Sequence, residues 1–575
     1  MILQSLIALY DRLNREKNEE SYDEEGVPPL GFSVEDIGFA ITIDREGNLI
    51  GEPEDLREKI SGQKYEYRRS TVPYSNEINV RSSNAAKTSN FMVDKADYIF
   101  GMSGTSPKNE HWKSFRDKID EVCENSQDAG VLAVKAFLRQ WNPADSTRLS
   151  YWEEICGSHG KWAAFKLEGD RDFIHERSEV RELWRAFIER KEYPRGISLV
   201  DGQIHNLQLQ YAQFPFGTGA SLVSFNKDAY ESYGKRRGEN APISVDAEFK
   251  SSAALKFLLR GDTQCLRIED ATTLFWTERK TPVESYLGMF FDPGSGDGET
   301  NAAAVRKFLE AARKGVLLEE LEEDGEVSFY ILGLALNKAR LALRFWYVCS
   351  VEKLMRRLGS HFECLKMEKD LSRKSVQEEE NQNPSIWHLL KETARKPKDI
   401  SPVLSGALMR SILTGSQYPM SLYQGVMGRI RADRDVNHPR ASILKAVLVR
   451  NYNKEIPMSL NTERRETAYL LGRLFAVLEK VQSDALGKDT NTTIKGSYFS
   501  AAAATPARVF PRLLQLSQHH IRKAEYGNTS DKRIGEIMEN IENFPPQMGL
   551  QDQGLFAIAY YQQKNEIYRK KDKNH

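Results

Sequence analysis

Few residues in this chain are spaced for covalent chemistry. Its histidines fall in no His-Glu-x-x-His or His-x-His arrangement. The adjacent pair His519-His520 sits beside Arg522 and Lys523 on a basic helical stretch, which reads as a solvated face rather than a metal site. The run FDPGSGDGETNAAAV has the composition of a calcium loop, but Asp292, Asp297 and Glu299 miss the EF-hand spacing. Gly-Asp-Gly ahead of a helix reads instead as a turn and cap. There is no G-x-x-x-x-G-K-[ST] phosphate loop, and FGTGAS supplies only half of a dinucleotide fingerprint. Triplets such as Glu278-Arg279-Lys280 recur by chance in many sequences. The expectation is a protein with no catalytic residues, no metal and no cofactor.

What remains is chemistry suited to binding. The run SFNKDAYESYGKRRGENAPIS (224–244) groups Lys235, Arg236 and Arg237 with Tyr230, Tyr233, Asn226 and Asn240. Cations neutralise phosphates and aromatic rings stack on bases. In an ordinary Ω-loop the same asparagines, with Pro242, would simply fix turns. Asn240 therefore either meets a base or holds the loop. A second segment, 65–101, interleaves Arg68, Arg69, Arg81 and Lys87 with Tyr65, Tyr67 and Tyr74, and adds Asn76, Asn79, Asn84 and Asn90. Asparagine offers a paired donor and acceptor to base edges, and in the minor groove this mainly separates A·T from G·C. The alternative is a plain polar connection. The third group is a basic helical end, where Arg429, Arg431, Arg464, Arg465, Arg473, Lys480, Arg522 and Lys523 would form a track for a DNA strand.

The elements that must position these groups are of two textures. At 575 residues the chain is too long for one core, so two to four domains are expected. Strands are predicted in GFAITIDREGNLI (a hairpin turning at Arg45-Glu46-Gly47-Asn48), at 65–74, and in FMVDKADYIFG, WAAFKLEG, GISLV, ASLVSF, TTLFWT and VSFYILGLAL…RLALRFWYV. Helical periods lie between them at 110–124, 176–191, 246–260 and 302–314. The mixture lacks a regular βαβ period, so residues 1–371 are expected to be α+β, with two subdomains a further option. From about residue 350 every long segment is helical, and 385–575 is predicted to be an all-α bundle. The polar stretch SRKSVQEEENQNP (372–384) is the predicted connector. On NTERRETAYLLGRLFAVLEKVQ, Leu470, Leu471, Leu474, Phe475, Val477, Leu478 and Val481 form the apolar face. Asn461 or Thr462 would cap its start, and Arg473 and Lys480 would share a solvent side.

Charge is distributed unevenly. Residues 395–575 carry 28 Lys and Arg against 17 Asp and Glu, while residues 1–394 carry 53 against 65. A basic end on a chain of net charge −1 suits a polyanion partner without loss of solubility. Five scattered cysteines with no CxxC pair imply a reducing cytosol. The N-terminal MILQSLIALYDRL reads as an amphipathic helix, and Lys338, Arg340 and Arg344 interrupt the most apolar stretch, so neither a signal peptide nor a membrane span is expected.

With these residues in view, the chain resembles the large subunit of the subtype I-C CRISPR surveillance complex, Cascade. The likeness is carried by MILQSLIALYDRL with GFAITID, by NFMVDKADYIFG, and by LVSFNKDAYESYGKRRGENAPIS…AALKFLL. It continues in SLNTERRETAYLLGRLFAVLEK and KGSYFSAAAATPARVFPRLLQL, so it runs from the first residue to beyond 510. It implies a non-catalytic cytoplasmic protein that reads a protospacer-adjacent motif on duplex DNA, helps open the duplex, steadies the displaced strand and helps recruit a helicase–nuclease. It further implies guide RNA, backbone and crRNA-processing subunits and a small helical subunit as partners. In that family the small subunit can start within the large-subunit reading frame. Here Met458, after Pro457, would begin a product of residues 458–575 with 17 cations against 13 anions. Two other readings are a metal-dependent nuclease with an unrecognised acidic site, and a scaffold with no nucleic-acid contact.

Overall fold

The computed structural model describes residues 1–19, 26–61, 64–76, 88–157, 159–216, 219–225, 228–261, 263–268, 271–284, 287, 310–312, 314–316, 324–337, 340–369, 386–487 and 493–569. They form two compact units: Met1–Arg260 with Leu336–Ala342, and Gly261–Ala335 with Leu343–His575. Among the described residues, no helix is long and apolar enough to cross a membrane.

The first unit is α+β. Helix α1 (Ile2–Glu19) buries Leu6, Leu9 and Tyr10. The long strand β1 (Phe32–Ile43) anchors a five-stranded sheet with β2 (Glu54–Asp55), β5 (Arg68–Pro73), β6 (Val93–Asp94) and β9 (Trp162–Leu167). Strands β3 (Glu58–Ser61) and β4 (Lys64–Glu66) form a hairpin apart from that sheet. Strand β1 runs antiparallel to β5, with Phe32 opposite Pro73, and parallel to β9, with Ile43 opposite Leu167. GFAITIDREGNLI forms only the root of the expected hairpin. The chain turns back at 44–48, with the amides of Asp44 and Ile50 donating to the carbonyls of Asn48 (3.0 Å) and Thr42 (2.9 Å), but strand pairing there is limited to the bridge Ile43–Leu49, and the other partners of β1 come from more distant segments. FMVDKADYIFG is strand for two residues only. The Asp94 carboxylate accepts from the amides of Asn90 (2.7 Å) and Lys95 (2.8 Å) and turns the chain into the one-turn helix α2 (Ala96–Ile99).

A short hairpin, β7 (Met102–Ser103) and β8 (Ser106–Pro107), leads into α3 (Asn109–Val122) and α4 (Ala129–Gln140), and α5 (Trp152–Cys156) precedes β9. With α6 (Ser178–Glu189) these helices enclose a core that includes Phe100, Phe115, Phe137, Phe165 and Trp184. A hairpin, β10 (Arg195–Ile197) and β11 (Ile204–Asn206), then leads towards α7 (Val245–Arg260), against which α1 packs with Tyr10 edge-on to Phe249 at 5.8 Å. ASLVSF, expected as a strand, makes only isolated bridges at Ala220 and Ser221.

The second unit opens on an antiparallel sheet in the order β12 (Cys265–Ile268), β13 (Ala271–Thr277), β14 (Ser328–Asn337), β15 (Arg340–Ser350), whose β14–β15 tip belongs to the first unit. Among the described residues after Ser350 the elements are helical, as their periodicity predicts: α8 (Val351–Leu365), α9 (Ile386–Lys391), α10 (Pro402–Thr414), α11 (Met420–Asp433), α12 (His438–Tyr452), α13 (Thr467–Leu486), α14 (Ile494–Ala504), α15 (Pro506–Ile521), α16 (Gly527–Met538) and α17 (Leu550–Tyr568). Sheet residues Phe275, Phe329 and Ile331 share one hydrophobic core with Leu354, Leu408, Leu444 and Phe475. That shared core explains why the compact division falls at 260/261 and not at the 372–384 connector, which lies outside the described residues.

Helix α13 is the central rod of the bundle. It begins at Thr467, not at the predicted cap Asn461 or Thr462. The Asn461 side chain instead accepts from the Glu463 amide at 2.8 Å, and Arg464 engages Glu466, which holds 461–466 outside the helix. The rod touches α17 where Gly472 faces the Phe556 carbonyl. A Cβ at 472 would lie 2.2 Å from that oxygen, so the two helices approach this closely only through glycine. Gly472→Ala should therefore force the helices apart and destabilise the chain by about 1–3 kcal/mol, read as a lower thermal-unfolding midpoint. An unchanged midpoint would contradict this packing.

Candidate nucleic-acid interface

The loop between Asp228 and Ser244 is ordered by its own hydrogen bonds. Its tip is a tight turn, with the Lys235 amide donating to the Ser232 carbonyl at 3.0 Å. Tyr233 at φ +54° and Gly234 at φ +71° take left-handed backbone there, and Arg237 follows at φ +45°. Asn240 holds the turn from inside. Its Oδ1 accepts from the Ser232 amide (3.2 Å), and its Nδ2 donates to the carbonyls of Lys235 (3.0 Å) and Arg237 (3.1 Å). Glu239 and Glu231 accept the backbone amides of Arg236 and Arg237. The Tyr211 hydroxyl lies 3.2 Å from the Gly238 carbonyl and 2.5 Å from that of Ala241.

The outcome is a fixed frame with exposed chemistry. Lys235, Arg236 and Arg237 are exposed, and their side chains have no ionic partner among the described residues. Tyr233 is 99 % exposed. The Tyr230 ring carries the Arg340 guanidinium at 4.3 Å. Of the two roles open to Asn240, the structure shows the turn-holding one: its amide is used within the loop. Asn226 lies outside the described residues.

The 65–101 segment is corrected more heavily. Arg81, Asn84 and Lys87 lie outside the described residues. Asn90 is buried, and its Nδ2 donates to the Val93 carbonyl at 3.0 Å, so it reads no base. Asn76 donates to Glu248 at 2.9 Å and to the Gln210 carbonyl at 3.2 Å. The Nδ2 groups of both asparagines are therefore used by the fold, although the buried Asn90 Oδ1 has no hydrogen-bond partner among the described residues. Arg68 lies over the Phe173 ring at 4.4 Å, and its neighbour Arg69 is exposed.

Behind these segments stands Glu248, which the sequence reading missed. Its buried carboxylate accepts from the Ala212 amide (2.8 Å), Ser252 Oγ (2.9 Å) and Asn76. Burial pushes its pKa up, opposed by those hydrogen bonds and by Lys256. The available signal was an acid on the α7 face that also carries Ser251, Ser252 and Leu255.

The predicted cationic track on the helices is not continuous. Arg429 engages Asp433, Arg431 donates to Gln553 at 2.5 Å, Arg464 engages Glu466, and Lys480 engages Asp484. Arg473 is buried, with Nε donating to Gln563 at 3.1 Å; it does not share a solvent side with Lys480. Arg465 is exposed beside Glu463, and Arg522 and Lys523 present their charges to solvent just beyond α15. A different cationic concavity was not foreseen. A cavity of about 880 Å³ is lined by Lys314, Arg356, Lys366, Lys369, His438 and Met458.

One cluster has the ingredients of a nucleophilic triad without its geometry. Ser70 Oγ lies 2.8 Å from His175 Nε2 and donates to Glu176 at 2.6 Å. Ser70 is buried, and the carboxylate meets the serine rather than the far ring nitrogen. Burial, with Arg181 and Arg68 nearby, lowers the His175 pKa to about 3, so the ring stays neutral and tethers β5 to the turn at 174–176. Among the described residues no group of three or more His, Cys, Asp or Glu is placed to hold a metal ion.

Residues 6–568 match the family model described as CRISPR-associated protein (Cas_Csd1), and the chain belongs to that family of CRISPR-associated proteins. Membership makes it a Cascade large subunit, a chain that works inside a multi-subunit complex. No curated protein matches it.

Because Asn240 ties Ser232, Lys235 and Arg237 together from within the turn, Asn240→Ala should loosen it. Losing two or three hydrogen bonds, each about 0.5–1.5 kcal/mol, should speed tryptic cleavage at Lys235–Arg237 by about tenfold or more. Mass spectrometry of the fragments reads the site, and wild-type protection there would contradict the assignment.

Proposed function

We propose that the chain is the non-catalytic large subunit of a subtype I-C Cascade in antiviral defence. It recognises the protospacer-adjacent motif on duplex DNA, helps open the duplex, stabilises the R-loop and helps recruit the helicase–nuclease. The carrying observation is the exposed Tyr233–Arg237 tip on a loop whose polar groups are otherwise internally bonded. Such a loop meets phosphate with three cations and offers a ring for stacking, without first having to order itself. Its partners are the guide RNA, the backbone and crRNA-processing subunits, target duplex, displaced strand, the small helical subunit and the effector. Since the Asn76, Asn90 and Asn240 amides are used internally, the reading of motif bases is assigned to exposed side chains of the loop and to Arg69, with Arg81, Asn84 and Lys87 as further contributors.

The test is duplex binding by the complex co-expressed with guide RNA, using targets with a randomised flank. Replacing Lys235, Arg236 and Arg237 together by alanine should reduce the slope of log affinity against log salt by about 2.7 if each meets one phosphate. A slope equal to wild type would reject this loop as the contact.

In the same reading, residues 458–575 are also made from an internal start at Met458. What supports it is how the start of that stretch is held. Gln562 accepts from Tyr469 at 2.6 Å and donates to the Pro457 carbonyl at 2.8 Å, while the Tyr469 hydroxyl accepts from the Asn461 amide at 3.0 Å. The Asn461 amide thus rests on α13 and, through Tyr469, on α17, both within the same product, while the Pro457 carbonyl belongs to the full chain alone. Towards residues 368–369, α17 presents a polar stripe instead of an apolar seam: Tyr561 and Asn565 donate to the carbonyls of Glu368 and Lys369, and Arg569 pairs with Glu368. Met458→Leu, at a half-exposed position, should abolish a short product on a gel and leave the full chain. Persistence of the short product would sink the internal start.

A further inference from the structure

The cavity of about 880 Å³ lies wholly within the second unit, and its walls are of two kinds. Phe362 and Leu365 of α8, with Met367 just after it, are largely buried there, and half-exposed Met458 adds a thioether. Against this apolar part, Lys314, Arg356, Lys366 and Lys369 supply four cations, with Glu363 the one acid among the described lining residues. Two of the cations are loosely engaged. Lys366 lies 3.4 Å from Glu363 and Arg356 lies 2.8 Å from Glu352, both pairs in solvent, where such contacts contribute little. Lys314 is exposed, with no ionic partner among the described residues.

The backbone behind these groups is fixed. A Cβ at Gly359 would lie 2.5 Å from the Gly315 Cα, so the turn at 314–316 sits directly on α8 and puts Lys314 on the same rim as Arg356. Lys445 of α12 donates to the Lys366 carbonyl, and the Glu368 amide donates to that of Met458 at 3.0 Å. A ligand would therefore meet a site already in place. Ser442 is the odd member of the wall. It follows His438 by one turn on α12 and is 1 % exposed, yet its hydroxyl has no hydrogen-bond partner among the described residues. A buried hydroxyl left open is costly, and a ligand bringing a polar edge into the cavity would satisfy it.

The occupant that fits joins an anionic end to a flat body with a hydrogen-bonding edge, in a cavity of the size small ligands use. A nucleotide has that form. One unit of a strand brings a single phosphate charge, so four cations around one cavity suit a di- or triphosphate better. We propose that this cavity binds a free nucleoside di- or triphosphate. Its phosphates lie on Lys314, Arg356 and Lys366, its base against Phe362 and Met367, and a polar edge of base or ribose on Ser442 Oγ. The site is independent of the duplex-binding reading above. Because residues 314–369 build most of its walls, it belongs to the full chain and is missing from a 458–575 product.

The experiment is calorimetric titration of the full-length chain with ATP, adenosine, pyrophosphate and a short deoxyadenylate strand. A single ATP per chain is expected, bound at least about tenfold more tightly than any of the other three. Lys314→Ala/Lys366→Ala should weaken ATP by about tenfold or more. Ser442→Ala should weaken it by about two- to tenfold, as for one lost hydrogen bond, and also serves if the double variant fails to fold. A purely structural serine would lower the unfolding midpoint of the empty protein when removed. Here the midpoint should stay or rise, because the hydroxyl is unpaired without ligand. Pyrophosphate binding as tightly as ATP would reduce the site to an anion patch, and adenosine doing so would make it an apolar pocket. Tighter binding of the strand would make it a strand contact. Each of these results overturns the proposal, as does failure of ATP to bind or wild-type affinity in both variants.

Discussion

The carboxylate of Glu248 is the constraint on which the 228–244 loop and its platform depend. It sits buried on α7 and gathers the segment after β5 through Asn76, the segment after β11 through the Ala212 amide, and its own helix through Ser252. A carboxylate in that position is tolerable only because three donors meet it. Two turns on, Lys256 lies 3.3 Å from Ser33 Oγ on β1 and over the Tyr74 ring at 4.2 Å. One helix thus fixes the sheet edge, the 65–76 segment and the platform beneath the 228–244 loop.

On that platform the loop follows a simple division of labour. Groups that can be satisfied locally, Asn240, Glu231, Glu239 and Tyr211, face inward and set the backbone. Groups that gain most from a polyanion face outward. The left-handed backbone at Tyr233 costs about 1–2 kcal/mol for a residue with a Cβ, and the surrounding bonds hold it there. The ring is therefore aimed rather than free to collapse onto the surface.

Much of this was legible in the sequence where one property decided the outcome. The helical period at 246–260 fell within one residue of the observed Val245–Arg260, and the apolar runs at β14 and β15 were read as strands. The failures share a cause: sequence shows what a side chain can do and not what will meet it. Asn76, Asn90 and Asn240 were readable as amides, but whether base or backbone takes them depends on segments up to about 170 residues away. Arg473 was assigned to a solvent side that does not exist, since α13 is packed by α14, α15, α16 and α17 and is buried nearly all round. GFAITID was given a local partner when a parallel strand more than a hundred residues later takes it. GISLV was read as a strand, but its return through Asp201-Gly202 to pair with 204–206 was not, and only burial distinguishes an aliphatic that packs from one left in water.

The stripe Tyr561, Asn565 and Arg569 on α17 has a consequence for how the helical end tolerates company. An apolar seam, once opened, exposes greasy surface and invites aggregation; a hydrogen-bonded one exchanges its partners for water at small net cost. The boundary between α17 and residues 368–369 is accordingly wettable. Local opening there uncovers carbonyls and amides more than hydrocarbon, whereas the apolar core that joins Leu444 to Phe475 keeps the helices together.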